Sequence, residues 1–583
     1  MASTPTIIVV GGGLSGLSAT MRAAEKGAQV HLFSMIPVRR SHSVCAQGGI
    51  NAALNHKGEG DSPEAHFFDT CYGGDFLAHQ PPIRRMCEAA PGIVRMFDRM
   101  GVMFNRTPEG LIDQRAFGGA KKRRTAFAGS TTGQQLMYAL DEQVRRLEVE
   151  GKVKKFEYWE FLSIIKDGDG VCRGITAIDL NSMQTRSFLA DAVILATGGY
   201  LYLFDKCTGS IHCNGSAVTQ AYMQGAVFAN PEFVQIHPTS IPGHDKMRLM
   251  SEACRGEGGR VWVPRDGKPW YFLEEWYPAY GNTVPRDIAS RAIWKVVKDM
   301  GLGLDGQDVV YLDLTHIDAK RLTQRLGGII EIYEKFVGQD PRRVPMKVFP
   351  AVHYTMGGLW VDDRHMTNIP GLFAAGESDY QYHGANRLGA NSLLSTVYSG
   401  QVAGPSAVEY AKGLKVVAAD VPTKYADDEK QVQDAWMRKL AAMNGYENPR
   451  KLKRDLGELM SNNAFVVRQN KDLAAAVEKL KELKARFPHC GMPDKIQWAN
   501  EHLTFLRTLS QQFELAELVL KAALNRNESR GSHYKPEFPD RDDKHWMCIT
   551  KGSFTSEGPK LDYSEKVIID GVAPMPRRYD VEH

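Results

Sequence analysis

Residues 6–16 read TIIVVGGGLSG, and the order of residue types within them decides the fold. Thr6 to Val10 is an uncharged, β-branched run, the composition of a parallel strand buried on both faces. It enters a glycine turn, and LSATMRAAEKG (17–27) then reads as an amphipathic helix stopped at Gly27, ahead of a second strand, AQVHLFS (28–34). In such a unit Gly11 makes the tight turn, Gly13 lets a pyrophosphate approach the backbone, and Gly16 lets helix and strand pack closely. The phosphate lies on the helix N-terminus, beside Ser15, where free N–H groups and the dipole favour negative charge. A carboxylate commonly ends the second strand and holds an adenosine ribose. Here that place is taken by Ser34, whose hydroxyl does the same job less strongly.

Two later segments repeat the strand-then-glycine theme. DAVILATGG (191–199) ends in a glycine pair that includes Gly198, and NIPGLFAAGE (368–377) is a turn, a short apolar strand and a carboxylate, Glu377. Three such pieces far apart in sequence suit one extended cofactor across a sheet that the chain leaves and re-enters. A nicotinamide enzyme needs only the first piece, so FAD is favoured over NAD.

The remaining texture divides the chain. The FAD-binding domain is expected at 1–238 and 346–424. Residues 239–345, with the aromatic cluster WYFLEEWYPAY (270–280), read as an inserted α+β capping domain over the active site. Long Lys/Glu/Leu/Ala stretches such as LAAAVEKLKELKARF (473–487) give a helical bundle over 425–534, and 535–583 reads as a small C-terminal module. The fold expected is therefore a Rossmann-like α/β FAD-binding domain carrying a cap, a helical domain and a tail module.

Composition narrows the function. The 583 residues include 72 Lys plus Arg against 68 Asp plus Glu, a net charge of +4 that gives no support to nucleic-acid binding. Nine cysteines are scattered without a Cys-x-x-Cys pair, which argues against a disulfide framework, a zinc finger or an iron–sulfur cluster held by this chain alone. No metal site is expected. The opening MASTPTIIVVGGG has no basic region or cleavable apolar segment before the strand, so no leader is expected. The uncharged run from Leu388 to Val408 is interrupted by glycines and Pro405 and reads as a buried loop and helix, not a membrane span. The basic run from Lys121 to Arg124 reads as a solvated face.

Several polar constellations fall in predicted loops. RRSHSVCAQGGI (39–50) places His42 where the chain passes the flavin ring. FVQIHPTSI (233–241) carries His237 at the end of an apolar strand. LMSEACRGEGG (249–259) carries Ser251, Glu252 and Arg255; TVPRDIASRAI (283–293) carries Arg286; AVHYTMGGL (351–359) carries His353; HGANRLGANSLL (383–394) carries Arg387. Each alone has an ordinary reading as a salt-bridged arginine or a satisfied core histidine. Together, two histidines, two arginines, a hydroxyl and a carboxylate suit a small dianionic substrate. Arginine grips a carboxylate bidentately, at roughly 1.5–3 kcal/mol for a charge-assisted bond. Holding both ends fixes the intervening carbons over the flavin.

These segments, with RAFGG (115–119), FAAGE (373–377) and ESRGSH (528–533) followed by FPDRDD (538–543), fall in the order found in flavoprotein subunits of the succinate dehydrogenase and fumarate reductase family, which the chain resembles over nearly its whole length. The resemblance implies a covalent 8α-histidyl bond between His42 and FAD, Arg286 as the catalytic proton donor or acceptor, and Glu252 and Arg255 as its relay to solvent. It implies His237, Ser251, His353 and Arg387 as dicarboxylate ligands, with Phe117 in the loop over the substrate. The cofactor set expected is Gly11, Gly13, Ser15, Gly16, Ser34, His42, Gln47, Gly48, Gly49, Gly198, Glu377, Asn391, Ser392 and Leu393. The implied reaction is hydride exchange between a methylene carbon of succinate or fumarate and flavin N5. Free arginine titrates above about 12, so it protonates a carbanion easily, while proton removal from succinate needs the Glu252 relay.

Three departures stand out. Asn214-Gly215-Ser216-Ala217 replaces a frequent Thr-Gly-Asp-Gly, Ser251 replaces a frequent threonine, and Ala390 replaces a frequent glycine. Residues 103–119 and 124–146 resemble the subgroup that works with one dihaem cytochrome b anchor and menaquinone. The resemblance also implies an iron–sulfur subunit that takes the electrons and docks the chain peripherally on the cytoplasmic side of the cell membrane. Two readings compete. A free-standing L-aspartate oxidase shares the fold and clamp but lacks the flavin-linking histidine segment, and a non-catalytic flavin-binding scaffold has no need of a substrate clamp.

Overall fold

The computed structural model describes residues 4–243 and 246–579. At its centre five parallel strands lie in the order Leu372–Ala374, Ala192–Leu195, Thr6–Val10, Gln29–Ser34, Val153–Glu157. The three strand-then-glycine pieces are thus adjacent, with Ile8 beside Val193 on one side and His31 on the other. Ile7, Ile8 and Val9 are fully buried, as an apolar strand covered on both faces requires.

The first helix, Leu14–Glu25, is not the one-sided helix expected. Every residue from Leu14 to Ala24 except Arg22 is buried, because the sheet lies on one side and helices Thr132–Val149 and Asn391–Lys412 on the others. Small residues make this possible. A β-carbon on Gly16 would sit 1.8 Å from the Gly11 carbonyl oxygen, so only glycine allows helix and turn to approach so closely. The uncharged run from Leu388 becomes the buried helix Asn391–Lys412, and no helix among the described residues is long and apolar enough to cross a membrane.

Between the parallel strands Ala192–Leu195 and Leu372–Ala374 the chain builds a six-stranded sheet, ordered Arg248–Leu249, Val234–Ile241, Met346–Thr355, Val310–Asp313, Arg260–Arg265, Lys268–Trp270. Strands Val234–Ile241 and Met346–Thr355 pair antiparallel and extend across positions 238 and 346. The first strand does not end at His237, as its sequence suggested. It continues through Pro238, and the pairing is irregular between His237 and Ser240, where the proline has no N–H to give.

Helices Thr423–Ala441, Pro449–Asn463, Asn470–Arg486 and Glu501–Asn525 follow. Asn448 and Asn500 cap two of them by accepting backbone N–H bonds. In Asn470–Arg486 the residues Leu473, Ala476, Val477, Leu480 and Leu483 are buried at helical spacing, with Lys/Glu pairs on the outer face. The tail strands Lys551–Ser553 and Lys560–Asp562 join Phe228–Ala229 and Gly358–Leu359 in one sheet, so the tail is stitched to the cofactor-binding region. A buried charge lattice pins this junction. Arg526 donates to Glu232 (2.7 Å) and Glu528 (2.8 Å), and Arg530 donates to both oxygens of Glu528 (2.9 and 3.0 Å), with all four side chains fully buried.

The basic run is only partly a solvated face. Lys121 and Arg123 are exposed, but Arg124 is fully buried between Asp61 and Asp69, 2.8 Å from each. Two carboxylates on neighbouring segments draw in one cation of the run, which charge counting along the sequence does not reveal.

Candidate active site

Two adjoining clefts open at the carboxyl ends of the parallel strands, where open α/β sheets bind ligands. The first, about 1020 Å³, is walled by Gly11, Gly13, Ser15, Ser34 and Gly198 together with Asn214, Gly215, Ser216 and Ala217. The second, about 870 Å³, is walled by Gln47, Gly48, Gly49, Phe117, His237, Ser251, Glu252, Arg286, His353, Arg387, Ser392 and Leu393. His42, Ser43, Glu377 and Thr396 line both, so the clefts are continuous.

This shape fits an extended cofactor. The helix Leu14–Glu25 starts at the first cleft with Gly13 as its N-cap; the Ser43 hydroxyl accepts from the Leu14 N–H (3.3 Å), and the N–H groups that follow are left for phosphate. His42 Nδ1, in the shared zone, and Gln47 Oε1, in the second cleft, are buried without a hydrogen-bond partner among the described residues, which is the condition of groups that await a polar ring. Burial, with Lys246 adding to it, lowers the His42 imidazole to about 4, so it is neutral at physiological pH. Burial raises Glu377 to about 7 against the N–H and hydroxyl of Thr355, which donate to it.

Three expected residues stand behind the walls. Gly16 serves the close packing described above. Asn391 turns away from both clefts. Its carbonyl accepts from Asn51 (2.8 Å) and pairs with His66 Nε2 (2.9 Å), while its amide donates to Thr70 (3.0 Å), fixing the helix start from which Ser392 and Leu393 face the cleft. Ala390, just before it, has φ 62°, which explains why glycine is frequent there; the alanine costs about 1–2 kcal/mol. Arg255 also lies outside the cleft wall. It donates to Glu252 Oε1 (3.0 Å) and to the carbonyl of the half-buried Asn282 (2.7 Å), with its own side chain fully buried.

The second cleft concentrates positive charge. Arg286, at the start of helix Arg286–Trp294, donates Nε and Nη2 to Glu252 Oε2 (3.0 and 2.8 Å) and Nη1 to Gln235 Oε1 (2.9 Å). Burial alone would raise the Glu252 carboxyl, but Arg286 and Arg255 outweigh it and hold the carboxyl below its usual range, so it stays ionised. Its place is tightly bounded: a β-carbon on Gly118 would fall 1.9 Å from Glu252 Oε1. Across the cleft Arg387 is buried, and among the described residues its guanidinium makes no hydrogen bond or ion pair. It stacks 4.7 Å over the Tyr354 ring, and its Nε is unpartnered. Burial, then repulsion from Arg286, lowers it to about 9.

His237 and His353 lie with ring centroids 5.0 Å apart. Their Nδ1 atoms are engaged with Thr239 (2.9 Å, carbonyl) and the Thr208 hydroxyl (2.8 Å), so Nε2 of each remains for a ligand. Burial and then Arg286 push both imidazoles well below their ordinary value, so both are neutral. Phe117 closes the cleft between Gly48 and Gly389, and Arg115 fastens the adjoining segment by donating to the Gln47 and Gly48 carbonyls. Three guanidinium groups face one carboxylate. Such a concentration of positive charge, with Arg387, two imidazoles and the Ser251 hydroxyl lining one cleft beside the Arg286–Glu252 pair, is suited to an anionic ligand.

The structure adds Gln235, Thr208 and Tyr354 to the set read from the sequence. Gln235 was within reach, because it lies two residues before His237 on one strand and therefore on the same face. Thr208, in an irregular loop, gave no signal.

Comparison with known proteins agrees with this geometry. A family model described as an FAD binding domain matches residues 6–393, and one described as the fumarate reductase flavoprotein C-terminal region matches 453–579. The chain is 58% identical to the succinate dehydrogenase flavoprotein subunit of Bacillus subtilis over 99% of both chains. It is 34% identical to the fumarate reductase flavoprotein subunit of Escherichia coli, covering 99% of this chain and 96% of that one. Among solved structures it superposes on the flavoprotein of an Escherichia coli quinol fumarate reductase variant with TM-score 0.93 and 32% identity, covering 100% of both chains.

Proposed function

Because the chain belongs to the family of succinate dehydrogenase and fumarate reductase flavoprotein subunits, we propose that its two joined clefts interconvert succinate and fumarate beside bound FAD. The observation that carries the substrate class is Arg387, a buried guanidinium with no acceptor among the described residues, facing a cleft that also holds Arg286 and two neutral imidazoles. A buried cation left unpaired is costly unless a ligand completes it.

Bound FAD supplies the two-electron chemistry, exchanging a hydride with one methylene carbon. Gly11, Gly13, Ser15, Ser34, Gly198 and Glu377 line the cleft that would hold it, with Gln47, Gly48, Gly49, Ser392 and Leu393 around its ring end. Arg387, His237, His353 and Ser251 fix the carboxylates, so the two central carbons meet the reacting groups without searching. Arg286 handles the proton at the neighbouring carbon. In the reducing direction its Nη proton goes to carbon and is replaced through Glu252. In the oxidising direction the ionised Glu252 takes the proton that Arg286 receives. Loss of one hydride and one proton converts succinate to fumarate, and the balance closes. Phe117 covers the cleft and keeps water out.

His42 is the residue that would tether the cofactor: a neutral imidazole with an unpartnered Nδ1, lining both clefts. Electrons would leave this chain through an iron–sulfur subunit. A dihaem cytochrome b with menaquinone anchors the assembly on the cytoplasmic side of the membrane. The 103–119 and 124–146 segments and the Bacillus subtilis relative support this reading.

The test is Arg286→Lys in the assembled enzyme, assayed with succinate and an artificial acceptor. Turnover should fall at least ~10²-fold with FAD retained. Near wild-type turnover removes the assignment. Acid precipitation should leave colour on the wild-type polypeptide and none on His42→Ala; a colourless wild-type pellet would exclude the tether.

A further inference from the structure

Far from the clefts in sequence, the C-terminal tail inserts a guanidinium into the core. Arg577 and Asp287, 290 positions apart, meet at 2.9 Å, with side-chain exposures of 8% and 0%. The tail is held on both sides of this contact. Arg577 Nε donates to the Tyr579 hydroxyl (2.9 Å), the Tyr579 ring packs edge-on against Tyr72 and Tyr280, and the Arg578 backbone N–H donates to the Tyr72 hydroxyl (2.6 Å).

Asp287 directly follows Arg286, but its importance lies in the chain of bonds it starts. Asn386 Nδ2 donates to Asp287 Oδ1 (3.0 Å), Gln235 Nε2 donates to Asn386 Oδ1 (2.9 Å), and Arg286 Nη1 donates to Gln235 Oε1 (2.9 Å). Each amide has one accepting and one donating end, so the links all run in one direction. The Asn386 amine turns toward Asp287 and the Gly73 carbonyl (3.3 Å), the Asn386 carbonyl claims the Gln235 amine, and the Gln235 carbonyl is left for Arg286. Among the described residues Arg577 is the cation within salt-bridge distance of Asp287, reaching both of its carboxylate oxygens (2.9 and 3.4 Å).

We propose that Arg577 is a positioning residue for the reaction: from the C-terminal tail it holds Asp287 in place and, through the Asp287–Asn386–Gln235 chain, the orientation of Arg286. The same chain reaches the anion clamp, because Gln235 Nε2 also donates to the Arg387 carbonyl (2.7 Å).

The inference rests on Arg286 handling the proton, and the experiment separates the two. In the purified assembled enzyme, Arg577→Met should lower kcat about tenfold, within the ~10²-fold that a 1 Å misplacement costs, with KM within twofold and flavin content unchanged. Arg577→Lys keeps the charge but not the fork, and should lose about two- to threefold. Wild-type kcat in a folded Arg577→Met enzyme beside an inactive Arg286→Lys enzyme overturns this proposal alone; wild-type kcat in Arg286→Lys overturns the reading beneath it. Should Arg577→Met fail to fold, Arg577→Lys decides: reduced kcat at unchanged KM and Tm supports positioning, and wild-type kcat overturns it. A joint decline of kcat, KM and Tm in both variants would mark a merely structural contact and also overturn it.

Discussion

Two pairs of arginines lie equally deep in this molecule and do opposite work. Arg526 and Arg530, at the junction of the helices with the tail, are enclosed by Glu232 and Glu528, and every one of these side chains is fully buried. Of Arg286 and Arg387, in the second cleft, only Arg286 bonds Glu252, and Glu252 also accepts from Arg255. Burial lowers the affinity of any guanidinium for its proton. For Arg526 the carboxylates of Glu232 and Glu528 outweigh burial and shift it upward, whereas Arg387, lacking such a partner, is lowered to about 9. Depth is therefore no guide to role. What matters is whether the fold supplies the counter-charge or leaves it to a ligand.

The sharpest way to break the contrast is Arg387→Met. Turnover should fall ~10³-fold or more, because a ligand-facing cation is lost, while the Tm of the ligand-free enzyme should stay the same or rise. Succinate should also cease to raise Tm, an effect otherwise worth about 2.7 kcal/mol at one hundred times Kd. A variant that lost stability as well would place Arg387 with the structural arginines. The converse change, Arg526→Met, should cost about 3–5 kcal/mol by chemical denaturation, because it strands buried carboxylates, and should leave KM for succinate untouched. Adding Glu232→Leu should recover part of that loss; if the double variant is no better, the lattice is not acting through charge pairing.

A smaller effect tests the same idea by pH. Asp75 is buried, which alone would raise its carboxyl, but Arg577, Arg530 and Arg541 hold it down to about 2, against a model-peptide value of 3.8. A depressed carboxyl contributes stability that is fully present above the unfolded value and is lost as pH falls through the folded one. Asp75→Asn should therefore be less stable than wild type by about 2 kcal/mol at pH 7, with the gap closing between pH 4 and pH 2. A gap independent of pH would mean that Asp75 acts by shape and not by charge.

Legibility followed the range of the contacts. The cofactor cradle was readable because strand, glycine turn and helix are consecutive, and FVQIHPTSI and HGANRLGANSLL carry their polar residues within short apolar frames. The clamp emerged from such segments taken together and from their resemblance to a family. What stayed hidden depends on partners distant in sequence. Arg124 looked solvated because Asp61 and Asp69 lie more than fifty positions away. The first helix looked one-sided because the helix covering its other face begins at Asn391. Asn391 looked like a wall residue because its partners, Asn51 and His66, belong to segments with no motif. The strand carrying His237 looked finished at its proline, since sequence does not tell a break in a ladder from its end.

That uninterrupted strand has a consequence for how the protein can vary. His237 and His353 ride on two hydrogen-bonded strands, His353 at the bulge between the pairs Gln235–Tyr354 and Ile236–Val352, so the backbone ladder around them sets their spacing. Lengthening or trimming the segment between the strands leaves that distance alone. A single residue inserted between Val234 and His237 would shift the imidazole against its partner strand, toward the far side of the sheet unless a further bulge absorbed it, so length is freer in the hundred residues between these strands than within either of them.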